Sequence, residues 1–403
     1  MITTIGNTII AGQPIENAVE QIRNCAQRSA YTALMADHHK GYSVPIGGVM
    51  ADPYLIAPQC VGFDIACGMI AVETDASLQD VKANIKTIMN DLYKTISFGV
   101  GRANAEAVDS YLYDYAQWDT LEVYKGNQGI KATAKNQLGT VGSGNHWVNI
   151  FECQNGKVWV GAHFGSRGLG HQTATWFLDV IGADDSMESI PKVMACNSDL
   201  GEQYLKALDL CGAYAYEGRE WVAERVLKIL GANQTDCVHT HHNFLWRENH
   251  DGQDLWVGRK GATPCFPGQR GFVGASMTEA CPIIRGTDSP LLKDLLYSTV
   301  HGAGRVMSRT EAAGKRSRKT NELILDGNGV PKKAGVVTQE MFDKAVKDSG
   351  IELRGGGFDE SPYVYKRITE VLEHHENTIE ILNLLKPIGV AMASHDTYDP
   401  YKD

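Results

Sequence analysis

Val61-Gly62-Phe63-Asp64-Ile65-Ala66-Cys67-Gly68-Met69 sets an aspartate and a cysteine three residues apart between glycines. A carboxylate and a thiolate so placed make half of a metal site. The other half must come from elsewhere, and the chain offers histidines in glycine-rich surroundings: Gly144-Asn145-His146, His163-Phe164-Gly165-Ser166-Arg167-Gly168, His241-His242-Asn243 and His301-Gly302-Ala303-Gly304-Arg305. Glycine beside a functional side chain lets backbone come close to a ligand. One Asp, one Cys and three or four His, brought together, satisfy one ion or two with the cysteine able to bridge. Mixed O, N and S donors suit Mn, Fe, Co or Zn.

Around these loops the pattern alternates between strand and helix. Residues 3–5 and 8–10 flank Gly6-Asn7, a hairpin signal, and Ile15, Ala18, Val19, Ile22 and Ala26 recur at helical spacing. Residues 33–50 read as a strand followed by loops dense in Gly and His. Ser77 with Asp80 forms a capping signal for a helix whose face is Val81, Ile85, Ile88, Met89 and Leu92. Residues 147–151 and 158–163 read as two strands turned at Gln154-Asn155-Gly156, which places His146 and His163 on neighbouring strands. A helical region from Gly201 to Leu230 closes at Gly231, with Gly212 and Gly218 as expected break points. Val364, Ile368, Val371 and Leu372, then Ile379, Ile381, Leu382 and Leu385, read as a C-terminal pair of helices ending before Pro387. No repeat or linker interrupts the chain, so one dominant domain of α/β class is expected.

Composition narrows the function. Hydrophobic residues are 43% and charged residues 21% of 403, with no apolar run long enough to span a bilayer. The start lacks a basic, apolar export signal, so the cytoplasm is the expected compartment. Nine cysteines without paired spacing disfavour a disulfide framework. A formal charge of −10 argues against holding nucleic acid through bulk positive charge, although a local basic channel escapes that sum. The run Lys315-Arg316-Ser317-Arg318-Lys319 reads as a solvated face or as an RNA-backbone contact.

The ordered set Asp64-Ile65-Ala66-Cys67-Gly68, Gly142-Ser143-Gly144-Asn145-His146, His163 to Gly168, His242-Asn243, Arg259-Lys260-Gly261-Ala262-Thr263, His301 to Arg305 and Gly355-Gly356-Gly357-Phe358-Asp359-Glu360-Ser361-Pro362 resembles the motifs of the RtcB family of RNA-splicing ligases, from about Asp37 to Gly389. The resemblance implies a single large α/β domain of α+β type over residues 1–403, with mixed sheets, surrounding helices and a divergent tail at 390–403. It implies a ligase joining an RNA 3′-phosphate or 2′,3′-cyclic phosphate to a 5′-hydroxyl with GTP and Mn²⁺, through a histidine–GMP adduct on His301. Cys67 would bridge two ions, with Asp64 and His242 on one and His146 and His163 on the other. Asn145, Arg167, Arg259, Lys260, Ser276 and Gly302-Ala303-Gly304-Arg305 would bind nucleotide or phosphate. An archease-type activator is a further implied partner.

Four departures from the family pattern fall on the nucleotide side. Asn149 stands where a glutamate is usual, Val390-Ala391-Met392-Ala393 where the family ends in Lys-Gly, Gly258 where a histidine precedes Arg-Lys-Gly, and Cys281 where a serine is common. An amide and a thioether replace a carboxylate acceptor and an ammonium donor, so Asn149 or the tail is expected to bind the nucleotide through a different base contact. The alternative reading is an RNA-end-binding protein or metal-dependent phosphodiesterase that keeps the ions without forming a nucleotide adduct. Retention of His301 favours the ligase.

Overall fold

Gly6-Asn7 turns the chain as the sequence requires, pairing Ile2–Ile5 antiparallel with Thr8–Ala11. The hairpin opens a six-stranded sheet ordered Ile2–Ile5, Thr8–Ala11, Tyr31–His39, Ile46–Asp52, Gln253–Lys260, Asn243–His250. An eight-stranded sheet follows the order Gln234–His241, Gly68–Thr74, Val158–Phe164, Trp147–Cys153, Ile379–Ser394, Cys281–Gly286, Arg270–Phe272, with Glu352–Gly356 alongside Ile379–Ser394. This computed structural model describes residues 2–184, 186–317 and 322–394; Arg318, Lys319 and the tail beyond Ser394 lie outside the described residues. Mixed sheets with helices around them give the expected α+β class. The chain passes from the larger sheet to the smaller at His242, between strands ending at His241 and beginning at Asn243.

Local signals explain the helices that cover the larger sheet. Ser77 caps Leu78–Thr95 by accepting from the Asp80 N–H, and that helix buries Val81, Met89 and Leu92 against Ile70, Val148, Ile150 and Val160. Among the described residues no helix is long and apolar enough to cross a membrane.

Two expectations are corrected. The helix Asp199–Leu230 runs unbroken for 32 residues to a left-handed cap at Gly231, φ +63°, so Gly212 and Gly218 do not divide it. Close packing accounts for both glycines. A Cβ at Gly212 would meet the Phe244 ring at 2.9 Å, and one at Gly218 would touch Phe164 at 3.4 Å and Leu138 at 3.6 Å. Nor do residues 379–385 form a helix: Ile379–Ser394 is a strand, paired with Cys281–Gly286 on one side and Trp147–Cys153 on the other. Only Ile368–Glu373 of the expected pair is helical. Proline sits within this strand because the register shifts between Pro387 and Gly389, a bulge that removes the need for its missing N–H.

The two helix glycines should therefore answer differently to substitution. Gly218→Ala has room for its methyl and should be neutral or stabilising by up to ~1 kcal/mol through helix propensity. Gly212→Ala presses on a ring already stacked with His241 and should destabilise by about 1–3 kcal/mol. Thermal unfolding of the two variants beside the wild type checks this; equal shifts would mean that packing does not distinguish the positions.

Candidate metal centre and active-site cavity

Three loops and one strand bring the ligand candidates together where the two sheets meet. Cys67 ends the Asp64 loop just before the strand Gly68–Thr74, and its carbonyl accepts from the backbone N–H groups of His242 at 2.8 Å and Asn243 at 3.2 Å. His163 lies on Val158–Phe164, opposite Met69 on one side and Trp147 on the other, and His146 directly precedes the Trp147–Cys153 strand. The Cys67, His146 and His163 ligand atoms all fall within 4.8 Å of one another. Cys67 Sγ is 3.2 Å from His163 Nε2 and 3.6 Å from His146 Nε2. His163 Nε2 is 3.2 Å from His242 Nε2, and His146 Nε2 is 3.0 Å from Asp64 Oδ2.

The shortest contacts thus group Asp64 with His146 and His163 with His242, with Cys67 next to both imidazoles it touches. The resemblance instead divides them as Asp64 with His242 and His146 with His163; all five side chains are in one cluster. The donor set fits a cation. His163 Nδ1 is 3.0 Å from the Asn145 carbonyl, which only accepts, so the ring proton belongs on Nδ1 and Nε2 keeps its lone pair toward the cluster. Burial pushes the His163 and His242 imidazoles well below their ordinary pKa, with neighbouring imidazoles adding to the effect, so both stay neutral. Burial, and then the Asp64 charge, raise the Cys67 thiol well above its usual value. A bound cation would reverse that by stabilising the thiolate. His241 is the other way engaged: its Nδ1 contacts Arg219 Nη2 at 2.9 Å and the Ala66 carbonyl at 3.1 Å, outside the cluster.

The cluster opens into a cavity of about 280 Å³ lined by Asp64, Cys67, Asn145, Asn149, His163, His242, Ser276 and the whole run from His301 to Arg305. His301 follows the strand Ser298–Val300, and its ring lies 4.8 Å from that of His242. Behind its position is Asp37, which the sequence reading did not single out. Asp37 is fully buried; its Oδ2 accepts from the His301 and Gly302 N–H groups at 3.1 Å each and lies 2.7 Å from His301 Nδ1, although not aligned with it as a hydrogen bond. Burial by itself would raise this carboxyl, but His301, Lys366 and the Gly302 N–H hold it below the usual range. A charged Asp37 there favours the proton on Nδ1 and a free Nε2. The signal available was a lone acid in the strand Tyr31–His39, directly after the apolar run Ala33-Leu34-Met35-Ala36.

The motif glycines are where the loops touch. A Cβ at Gly165 would stand 2.2 Å from Asp64 Oδ1, and one at Gly304, φ +74°, would stand 2.1 Å from the Asp37 carbonyl oxygen. Any side chain there would push the aspartates out of place.

Cations divide into two groups. Arg305 lines the cavity with Arg309, a second residue that the sequence reading missed; Asp359 and Glu360 hold both, through Arg305 Nη2 to the Asp359 carbonyl at 2.8 Å and Arg309 Nη1 to Asp359 Oδ2 at 3.2 Å. Arg167 touches His146 Nδ1 through Nη1 at 3.3 Å and is not part of the cavity wall. Arg259 and Lys260 are also away from it. Arg259 is fully buried in a bidentate pair with Glu248, at 2.6 and 3.0 Å, and Lys260 donates to the Tyr42 and Val44 carbonyls at 2.7 and 3.0 Å. Their motif reaches the cavity through Gly261, whose N–H donates to Asn243 Oδ1 at 2.7 Å. Ser276 Oγ is 3.0 Å from Glu279 Oε2. Of the departures, Asn149, Val390 and Met392 line the cavity, whereas Gly258 and Cys281 do not.

Fold and cluster define an α+β protein with a candidate metal centre opening onto a cavity walled in part by arginine. The family model for tRNA-splicing ligase RtcB matches residues 19–393. The chain therefore belongs to the RtcB family. It is 30% identical to the tRNA-splicing ligase RtcB of Archaeoglobus fulgidus over 93% of this chain and 91% of that protein. It is 28% identical to the RNA-splicing ligase RtcB of Escherichia coli K12, covering 94% of each, and 27% identical to the tRNA-splicing ligase RtcB of Thermococcus kodakarensis, covering 93% and 91%.

Arg219, on the long helix, donates to the Ala66 and Phe164 carbonyls at 3.0 and 2.6 Å. Arg219→Met would leave these acceptors unpaired at about 1–3 kcal/mol each. The expected outcome is a lower unfolding temperature together with reduced bound metal, read by metal analysis after dialysis against a fixed free-metal concentration. Full metal retention would show that Arg219 does not hold the ligand loops.

Proposed function

We propose that this chain is an RNA ligase that joins an RNA 3′-phosphate, or 2′,3′-cyclic phosphate, to a 5′-hydroxyl through a nucleotidyl adduct on His301. GTP is the nucleotide and Mn²⁺ the metal that the family pattern implies. The observation that carries this reading is the placing of His301: one cavity wall holds an imidazole backed by a buried carboxylate, 4.8 Å ring to ring from His242 of the ligand cluster. A protein that only held metal would have no use for a nucleophile beside the ligand cluster.

Asp64, Cys67, His146, His163 and His242 would hold the metal, with two ions accommodated if Cys67 is shared. Metal ions there would offset phosphate charge and favour in-line displacement. His301 Nε2 forms a bond to the α-phosphorus as the α–β anhydride bond breaks and pyrophosphate leaves. Asp37 stabilises the positive charge that this places on the ring. A 2′,3′-cyclic end is first opened by water, which breaks the P–O2′ bond and leaves a 2′-hydroxyl and a 3′-phosphate; the adduct then passes its nucleotidyl group to an RNA 3′-phosphate oxygen, regenerating free His301. In the last step the 5′-hydroxyl attacks that 3′-phosphorus, and nucleoside monophosphate departs. Arg305 and Arg309, with the Gly302-Ala303-Gly304 backbone, are suited to phosphate oxygens, and Asn145 and Ser276 add polar groups to the same wall. Arg167 would act through His146, and Arg259 and Lys260 through the fold. Cytoplasmic RNA repair or tRNA splicing is the setting this chemistry suits, with an archease-type activator as a candidate partner.

Incubation with Mn²⁺ and α-labelled nucleoside triphosphates should give an acid-labile adduct on denaturing electrophoresis, absent from His301→Ala. Asp37→Asn should slow the adduct step by about 10²–10⁴-fold, the range for loss of an orienting acid–base partner. No label with any nucleotide, in protein shown to contain metal, would overturn the ligase reading in favour of RNA-end binding or hydrolysis.

A further inference from the structure

Part of the cavity wall differs in chemistry from the rest. Trp147, Met277, Val390 and Met392 line it and belong to one apolar cluster. Among them stands one amide. Asn149 is 4% exposed, and its Oδ1 has no hydrogen-bond partner. Strand pairing fixes this grouping: Asn149 lies opposite Val390, and Trp147 opposite Met392. Trp147 also packs on His163, ring centroids 5.9 Å apart, so the apolar wall adjoins the ligand cluster. A buried carbonyl oxygen without a partner is costly to keep, and Met277, Val390 and Met392 have no donor to offer it. Asn149 itself lines the cavity, so a turn of its amide would offer that oxygen to a donor on a molecule there.

We propose that Asn149 selects the base of the nucleotide carried by His301, and that the base selected is adenine. This rests on the nucleotidyl-histidine reading above. A carboxamide presents one acceptor and one donor side by side. Adenine answers with its 6-amino donor next to a ring-nitrogen acceptor, the pairing by which Asn recognises adenine in nucleic acids. Its C2–H needs no polar partner and is at ease against methionine.

Guanine fits less well in either orientation. Its N1–H and 2-amino group offer two adjacent donors, of which an amide can accept only one. Turned to pair O6 and N1–H with the amide, guanine still leaves its 2-amino group facing Trp147, Met277 and Met392. An unpaired buried amine weakens binding roughly tenfold to a hundredfold. The broad apolar wall also favours a bicyclic ring over a pyrimidine, since a purine covers more of it.

The test measures His301-dependent adduct formation by metal-loaded protein as a function of ATP, GTP, CTP and UTP concentration. The expected result is half-saturation by ATP at a concentration at least tenfold below that for GTP, with little change in maximal rate. Asn149→Glu, which supplies two acceptors and no donor, should reverse the preference toward GTP. GTP labelling as well as ATP, or a pyrimidine labelling best, would overturn the adenine proposal and leave the ligase reading standing. Should Asn149→Glu fail to fold, the wild-type ranking decides alone. Absence of label from all four nucleotides would instead remove the ligase reading, and with it this proposal.

Discussion

The site depends on one buried guanidinium. Arg219 is fully enclosed and donates to the carbonyls of Ala66 and Phe164, to His239 Nε2 at 2.8 Å and to His241 Nδ1 at 2.9 Å. Ala66 precedes Cys67, Phe164 follows His163, and His241 precedes His242. A rigid, planar fork of donors therefore fixes three segments, each one residue from a ligand candidate, in a way that a flexible ammonium could not. Burial lowers Arg219 only to about 10, so it stays charged, and its charge is among the causes that keep His242 neutral. Ala66 also has φ +60°, a conformation that costs on the order of 1–3 kcal/mol and persists only if its neighbours enforce it.

That constraint reaches back to the long helix. Arg219 can hold the ligand loops only if the turn carrying it is rigid, and Gly218 is the residue before it. Read in isolation, the glycine predicts a break. Read with its neighbours, it lets the helix lie close to Phe164, whose carbonyl Arg219 binds. Local propensity and tertiary contact oppose each other here, and contact prevails because a glycine costs a helix only ~1 kcal/mol. The C-terminal strand shows the same conflict. Ile381, Leu382 and Leu385 have helical spacing, yet residues 379–394 complete a sheet between Cys281–Gly286 and Trp147–Cys153, strands far back in the chain that no local window of sequence contains.

Much of the site was legible because glycine marks close approach. Gly165, Gly304 and the His and Asp beside them announced loops that had to touch, and they do. Cations were less legible. Arg259 and Lys260 sit in a glycine motif just as Arg305 does, but Arg259 is matched by Glu248, eleven residues earlier on the neighbouring strand, and Lys260 by two backbone carbonyls. Sequence shows that a cation is present; only the fold shows whether a partner already claims it. Asp37 was hidden for a related reason, since its role comes from a backbone turn 264 positions away.

Charge placement then reconciles an acidic chain with a substrate made of phosphates. The net charge of −10 describes the whole surface, whereas the cavity wall carries Arg305 and Arg309. Asp359 and Glu360 hold those two guanidiniums, both carboxylates being almost fully buried. A carboxylate beside these arginines cancels part of their attraction for an anion, but without it the arginine forks would be desolvated and free to turn. Fixing them beforehand lowers the ordering cost at the moment an anion binds. Electrostatic attraction is thus exchanged for orientation, which in-line phosphoryl transfer requires more.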